Sequence, residues 1–186
     1  MKKKIESIGL GFLSLLFYLS AYSQRADGDL KIVLIRHGEK PKKGDNLTCQ
    51  GLNRSMQLPA VLFSRFGIPA ATYIPAIGLG DSTKHSRMFQ TIIPFAVKYN
   101  LPLTSKFAEK DSAGIAADII QKKGTVLIIW EHKCIPSIAR ALGIKEDTLR
   151  WDDDDYDSIW IVTFQNGRAR LTKDREGLHP SAACPF

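Results

Sequence analysis

From residue 30 onward, short aliphatic runs alternate with segments whose apolar side chains recur at helical spacing. The first run, over residues 30–35, is almost continuous in β-branched residues and leucine, which is typical of a strand covered on both faces. Such strands lie in sheets that carry helices on each side. The sequence therefore predicts an α/β fold, a three-layer αβα sandwich with a mostly parallel central sheet.

The same pattern predicts the individual elements. Thr48 is expected to cap a helix over residues 49–66, and Pro59 inside this helix predicts a kink or a junction of two shorter helices. Asn166-Gly167 is a favoured two-residue hairpin turn. The remaining predictions are strands at 72–77 and 125–130, helices at 86–98, 112–123 and 135–142, and a hairpin of 158–165 with 169–172.

Residues 1–23 have the composition of a secretory signal peptide. Lysines at positions 2–4 precede an apolar stretch over residues 8–19, and Ala21 and Ser23 follow as small residues of a cleavage site. The stretch is short for a membrane anchor, which is the alternative. We therefore predict export to the periplasm or the medium. The expected mature chain is one domain over residues 24–186, without stable membrane association.

The charge of the chain bears on its partners. The formal net charge is +7 at pH 7, which favours anionic ligands. The basic residues are scattered and no nucleic-acid motif is present, so we predict no nucleic-acid partner. The oligomeric state is left open.

Three cysteines, Cys49, Cys134 and Cys184, remain in the predicted mature chain. An oxidising compartment permits one disulfide, for which three pairings exist. The sequence does not choose among them, and three free thiols are equally compatible with it.

Two histidines follow predicted buried strands. His37 lies within Arg36-His37-Gly38-Glu39, and His132 follows the strongly apolar strand at 125–130. Because ligands gather at the carboxyl ends of parallel strands, we expect both histidines at one edge of the sheet. A neutral imidazole can attack phosphorus, and a guanidinium pairs with two phosphoryl oxygens at once.

Two predicted helix starts extend this site. The amides that follow Thr48, and a second guanidinium from Arg87, favour a bound anion. Gly38 is expected to let the backbone approach a phosphate closely. Gly38, Glu39 and Thr48 are therefore our predicted substrate-binding residues.

These motifs together resemble the histidine phosphatase superfamily, also called the phosphoglycerate-mutase-like family. IVLIRHGEKP is similar to its nucleophile motif, LTCQG to the helix start that follows, SRMFQT to its second-arginine motif and WEH to its second-histidine position. The resemblance implies a phosphoglycerate-mutase-like fold and hydrolysis of small-molecule or peptide phosphate monoesters through a phosphohistidine on His37. Arg36, Arg87 and His132 would surround the phosphoryl group, without a metal or other cofactor.

The proton donor has three candidates. Phe107-Ala108-Glu109 resembles the stretch that supplies a glutamate in many relatives, so the resemblance implies Glu109. Glu39 and Glu131 are the alternatives because they neighbour the two histidines. Lys133 departs from the family pattern, since a small residue is usual there and acid-phosphatase and phytase relatives carry Asp.

The sequence contains two further patterns. Cys134 and Arg140 have the C-x₅-R spacing of cysteine-dependent phosphatases, but Pro136 removes a backbone donor that such a loop needs, so we reject this mechanism. The acidic run at 152–155 lacks the spacing of a calcium loop and is interpreted as a solvated loop. The alternative function is a non-catalytic module that binds phosphorylated ligands in the same pocket.

Overall fold

The computed structural model describes residues 29–78 and 86–184. The predicted signal peptide and most of the loop before residue 86 lie outside the described residues. Within the described ranges, no helix combines the length and the apolar character that a membrane span requires.

Six strands form one sheet in the order β3-β2-β4-β1-β5-β6. Their bounds are β1 Leu30–Arg36, β2 Ala71–Tyr73, β3 Leu103–Thr104, β4 Gly124–Trp130, β5 Ser158–Gln165 and β6 Arg168–Arg175. Strands β3, β2, β4 and β1 are mutually parallel, whereas β5 and β6 run antiparallel to their neighbours. The prediction of a mostly parallel α/β sheet is confirmed.

Helices cover both faces of the sheet. Within the described residues they are α1 Cys49–Phe66, α2 Ser86–Tyr99, α3 Ser112–Ile119 and α4 Ile135–Ala141. Val33 and Ile35 of β1 pack in one apolar cluster with residues of α1 and α2, whereas Ile32 and Leu34 pack in the other with residues of α3 and α4. This double coverage explains why β1 is apolar on both faces.

The predicted elements differ from the observed ones mainly in length. Strand β2 ends at Tyr73, and the chain beyond it is held by a bond from the Ile74 amide to the Thr104 carbonyl at 3.0 Å. Strand β3 was not predicted, because two residues are too few to show a period. Helix α1 runs through Pro59 as one helix.

One disulfide joins the start of α1 to the C-terminal segment. It links Cys49 to Cys184, whose Cα atoms are 5.2 Å apart, and Cys134 is a half-buried free thiol. The Asn53 side chain donates to the carbonyls of Ser181 and Ala183 at 2.8 and 2.9 Å. The structure thus selects one of the three pairings that the sequence left open.

Candidate active site

The ends of β1 and β4 place the two predicted histidines together. In the parallel register Arg36 lies opposite Trp130, so the residues after both strands leave the same edge of the sheet. His37 and His132 are both buried there, at 0% and 3% exposure. The guanidinium of Arg36 lies 3.1 Å from His132 Nδ1, which brings three of the predicted site residues into one cluster.

His37 has a fixed ring orientation. Its Nδ1 lies 2.7 Å from the Gly38 carbonyl oxygen, which can only accept a hydrogen bond, so Nδ1 carries a proton. Its Nε2 therefore faces the other way and lies 3.2 Å from Glu131 Oε2. Nε2 is the ring nitrogen available for chemistry.

Glu131 bridges the two histidines. Its Oε1 lies 2.5 Å from His132 Nδ1, while its Oε2 faces His37, and its side chain is 14% exposed. Burial alone would raise the pKa of Glu131, but the hydrogen bonds with His132 and His37 outweigh burial and hold the pKa far below its usual range. In this arrangement Glu131 is an ionised carboxylate.

The acidic loop, residues 152–157, closes over Arg36 and His132. The Arg36 Nη1 group donates to the carbonyls of Asp153 and Asp155, each at 2.9 Å. The Tyr156 ring lies 3.8 Å from the centre of the same guanidinium, and Asp153 Oδ1 accepts from His132 Nε2 at 2.9 Å. The loop therefore orients two residues of the site.

Arg87 is brought to the same edge by a chain of hydrogen bonds. The amide of Gly38 donates to Thr91 Oγ1 at 2.9 Å, and the Thr91 hydroxyl donates to the Arg87 carbonyl at 2.7 Å. The first turn of α2 is thereby attached to the residue after His37. Thr91 is thus a positioning residue that the sequence offered only as part of a motif.

Both predicted arginines keep an unsatisfied donor. The Nε groups of Arg36 and Arg87 are buried and have no hydrogen-bond partner among the described residues. Buried N–H groups are almost always paired, and guanidinium groups pair strongly with oxyanions. These two donors therefore point to an anionic ligand.

Solved structures with this architecture are similar to the chain over most of its length. The protein histidine phosphatase SixA complexed with tungstate has a TM-score of 0.59 and 16% identity, over 78% of this chain and 97% of that one. The chain has the histidine phosphatase fold. No family model and no curated protein sequence matches it.

Two other solved structures with the histidine phosphatase fold are also phosphatases by name. The mycobacterial glucosyl-3-phosphoglycerate phosphatase, complexed with inorganic phosphate, has a TM-score of 0.58 at 13% identity, covering 79% of this chain and 96% of its own. Phosphoserine phosphatase from Entamoeba histolytica, with bound phosphoserine, has a TM-score of 0.55 at 15% identity, covering 80% and 97%. The predicted phosphoglycerate-mutase-like fold is confirmed.

Gly38 has a packing role that the sequence did not indicate. Its amide is already bonded to Thr91, so it does not face an anion. A Cβ at this position would lie 2.8 Å from the Gly51 carbonyl oxygen in the first turn of α1. Glycine is therefore required because the chain after His37 packs directly against α1.

Glu39 is held by Arg54 and is directed into a buried ion network. The Arg54 Nη2 group donates to Glu39 Oε1 at 2.8 Å, and its Nη1 group donates to Glu176 Oε2 at 2.5 Å. Arg54 therefore holds the Glu39 carboxylate in this structure, and a role of Glu39 in substrate binding stays a prediction. No local sequence pattern predicts that Arg54 binds both glutamates, because Glu39 and Glu176 lie far apart in the chain.

Thr48 caps α1 as predicted. Its Oγ1 accepts from the Gly51 amide and donates to the Glu39 carbonyl, each at 3.2 Å. Thr48 also lines a surface cleft of about 410 Å³ with Leu47 and Gln90. Its role in substrate binding stays a prediction.

Glu109 contacts Trp130 through its backbone. Its backbone carbonyl accepts from the Trp130 indole at 2.7 Å, and the residue is half-buried. Its carboxylate contributes to the environment of the Cys134 thiol, whose pKa is raised first by burial and then by Glu109 and Glu131. A thiol with a raised pKa is a poor nucleophile, which supports rejecting the C-x₅-R mechanism.

The acidic loop has a role in addition to the one predicted. Asp152, Asp153 and Asp154 are exposed, as expected of a solvated loop, but the loop carbonyls hold Arg36. The carboxylate of Asp155 also accepts from the Ser158 hydroxyl and amide at 2.5 and 3.0 Å. Sequence could not reveal this role, because backbone carbonyls carry no residue signature.

The cluster of His37, Glu131 and His132 also has the composition of a metal site. One ligand atom from each lies within 4.8 Å of the others. However, the Arg36 guanidinium is directed at His132 Nδ1, and this permanent cation opposes a second positive charge there. We therefore assign no metal ligands to this cluster.

Proposed function

We propose that the protein is an exported phosphatase that hydrolyses phosphate monoesters through a phosphohistidine on His37. The observation that carries this proposal is the orientation of His37. The Gly38 carbonyl binds Nδ1–H, so Nε2 faces Glu131, whose other carboxylate oxygen contacts His132. The phosphatases that share this fold support the class of reaction.

The reaction has two phosphoryl transfers. His37 Nε2 attacks phosphorus as the alcohol leaves, and water then attacks the phosphohistidine. The buried donors on Arg36 and Arg87 stabilise the charge of the phosphoryl oxygens, and His132 completes the pocket. Because the acidic loop already holds Arg36 Nη1, the guanidinium needs little rearrangement when the substrate binds.

Two variants test the nucleophile. We expect His37→Ala to abolish hydrolysis of p-nitrophenyl phosphate, because it removes the nitrogen that would carry the phosphoryl group. Cys134→Ser is the matched control, since it removes the thiol of the alternative cysteine mechanism and Cys134 makes no contact with His37 in the described site. The opposite pattern of activities would replace the histidine mechanism with the cysteine mechanism.

Export is part of the proposal and has its own support. The signal-like residues 1–23 predict it, and the Cys49–Cys184 disulfide is compatible with an oxidising compartment. When the full chain is produced in a bacterial host, we expect the intact mass of the exported protein to match a chain that begins at Gln24. Recovery of only full-length chain from the cytoplasm contradicts export.

A non-catalytic phosphate-binding module is the second candidate. It is favoured by one observation, namely that His37 Nε2 is already occupied by Glu131. Vanadate and phosphate would bind to such a module, but no phosphoenzyme would form. Phosphorus NMR of the quenched, alkaline-denatured enzyme distinguishes the two, since a phosphohistidine signal is expected only for the phosphatase.

A further inference from the structure

Asp153 contacts two residues of the candidate site through different atoms. Its backbone carbonyl accepts from Arg36 Nη1 at 2.9 Å, and its carboxylate oxygen Oδ1 lies 2.9 Å from His132 Nε2. The side chain of Asp153 is 73% exposed, whereas that of His132 is 3% exposed. The second contact therefore joins a buried imidazole to a carboxylate at the surface of the acidic loop.

The Asp153 carboxylate decides which nitrogen of His132 is turned away from the loop. The hydrogen bond with His132, and then the nearby charge of Lys133, hold the pKa of Asp153 below its ordinary value. An ionised carboxylate only accepts hydrogen bonds, so His132 Nε2 carries a proton. His132 Nδ1 is then on the other side of the ring, 2.5 Å from Glu131 Oε1 and 3.1 Å from Arg36 Nη2.

His132 Nδ1 lies on the side of its ring that faces the proposed nucleophile. The two oxygens of the Glu131 carboxylate contact His132 Nδ1 and His37 Nε2, at 2.5 and 3.2 Å. Both nitrogens thus border the space that this carboxylate now occupies. A phosphoryl group on His37 Nε2 would place its oxygens in that space, so Nδ1 is the atom with which His132 would bind them.

Binding of a phosphoryl oxygen gives His132 two acceptors. The oxygen accepts from Nδ1–H while Nε2–H remains bonded to Asp153, so the ring is a cation in the liganded site. The charged groups that face the ring are Arg36 and Glu131 on the Nδ1 side and Asp153 on the Nε2 side. Arg36 opposes the positive charge, and Glu131 shares its side of the ring with the ligand. Asp153 is the carboxylate whose contact the ligand does not disturb.

We propose, on the basis of the proposed function, that Asp153 is a positioning residue that strengthens phosphate binding through His132. Its carboxylate holds the ring with Nδ1 toward the phosphoryl group and offsets the positive charge of the ring. By charge alone, a carboxylate close to an anion site would weaken anion binding. The two effects have opposite signs, so an affinity measurement distinguishes them.

The exposure of Asp153 is compatible with this role. Exposed ion pairs contribute little when two flexible side chains must be held in one geometry. Here the bond to Arg36 holds the backbone of Asp153, and burial holds His132, so less conformational freedom is lost. Carboxylates that orient metal-binding histidines change affinity or activity by about 10- to 100-fold, and the exposure of Asp153 places its expected effect near the lower value.

Substitution of Asp153 isolates its contact with His132, because the backbone carbonyl that binds Arg36 remains in every variant. The probe is inorganic phosphate, and its affinity for the exported protein is measured by isothermal titration calorimetry. We expect Asp153→Ala to weaken phosphate binding about tenfold. Asp153→Asn should have an intermediate affinity, because its amide oxygen still accepts from Nε2–H but carries no charge.

Asp154→Asn is the matched control for charge. Asp154 is an exposed carboxylate of the same loop, and among the described residues it makes no hydrogen bond to Arg36 or His132. This variant removes the same charge from the same region. Its phosphate affinity should therefore equal that of wild type or be slightly higher.

A double-variant cycle tests whether Asp153 acts through His132. His132→Ala alone should weaken phosphate binding and slow hydrolysis of p-nitrophenyl phosphate. Adding Asp153→Ala to this variant should change the affinity by about twofold or less, because the contact is already absent. The values of kcat/KM for p-nitrophenyl phosphate should follow the same pattern.

The results that overturn this inference are distinct from those that overturn the phosphatase proposal. Tighter or unchanged phosphate binding by Asp153→Ala would refute the positioning role. A tenfold loss that persists in the His132→Ala background would show that Asp153 acts through another contact. Wild-type protein that binds phosphate but forms no phosphoenzyme on His37 would refute the proposed reaction, and the affinities of the variants would still decide the role of Asp153.

Discussion

The disulfide between Cys49 and Cys184 makes a strong prediction about stability. Its two cysteines are separated by 135 positions, so it joins the start of α1 to the C-terminal segment across most of the described chain. Replacing both with serine removes the link but keeps each site nearly the same size. The perturbation therefore acts mainly on the unfolded chain.

The magnitude follows from the length of the closed loop. The chain-entropy relation for a cross-link gives an upper value of about 5 kcal/mol at 25 °C for a loop of this length. Loss of a native disulfide from a small domain typically costs about 2–5 kcal/mol. The two hydrogen bonds from Asn53 to the same segment are exposed, so they compensate for little of the stabilisation that the disulfide provides.

Urea unfolding followed by circular dichroism measures the effect. We expect Cys49→Ser with Cys184→Ser to lower the free energy of unfolding by about 2–5 kcal/mol relative to oxidised wild type. Cys134→Ser is the control, because Cys134 is the free thiol among the described cysteines and a near-isosteric change should cost about 1 kcal/mol or less.

A thiol count makes the same prediction refutable without any unfolding model. Oxidised protein in denaturant should show one reactive thiol, and reduced protein should show all three. Three thiols in the purified exported protein, or a double variant as stable as wild type, would refute this pairing.

Two other predictions concern the packing around the site. Gly38→Ala should lower the free energy of unfolding by about 1–3 kcal/mol in the same urea assay, because its Cβ would meet the Gly51 backbone. Burial raises the pKa of Glu176 to about 8 although Arg54 opposes this, so the fold favours its protonated form. That contribution is full below the ordinary value of 4.5 and is lost as the pH rises toward 8. Wild type should therefore be less stable at pH 8 than at pH 5, and Glu176→Gln should reduce this difference. A wild-type stability that rises over this range would contradict the assignment.

Most of the fold could be predicted from local patterns. The apolar runs at β1 and β4 are long enough to show that both faces are buried, and Thr48 marks the start of α1 as a cap. The predictions were less accurate for the short elements. Strand β3 has two residues, and α3 ends at Ile119 rather than 123, because packing and not periodicity decides where such elements stop.

The candidate site was also predictable only in part from the sequence. Residue types and their spacing indicated that Arg36, His37 and His132 lie together, since parallel strands end at one edge of a sheet. The partners of these residues could not be predicted. The sequence offered Glu131 only as one of three candidate acids and did not show that its carboxylate contacts both histidines.

The sequence by itself determined which groups carry the chemistry, because imidazole and guanidinium are specific side chains at specific strand ends. The tertiary structure decided how each group is held. Backbone carbonyls of the acidic loop hold Arg36, Arg54 pairs with Glu39, and Glu131 bridges His37 and His132. Such contacts join residues far apart in the chain, and hydrogen bonds to backbone atoms leave no signature in the residues that provide them.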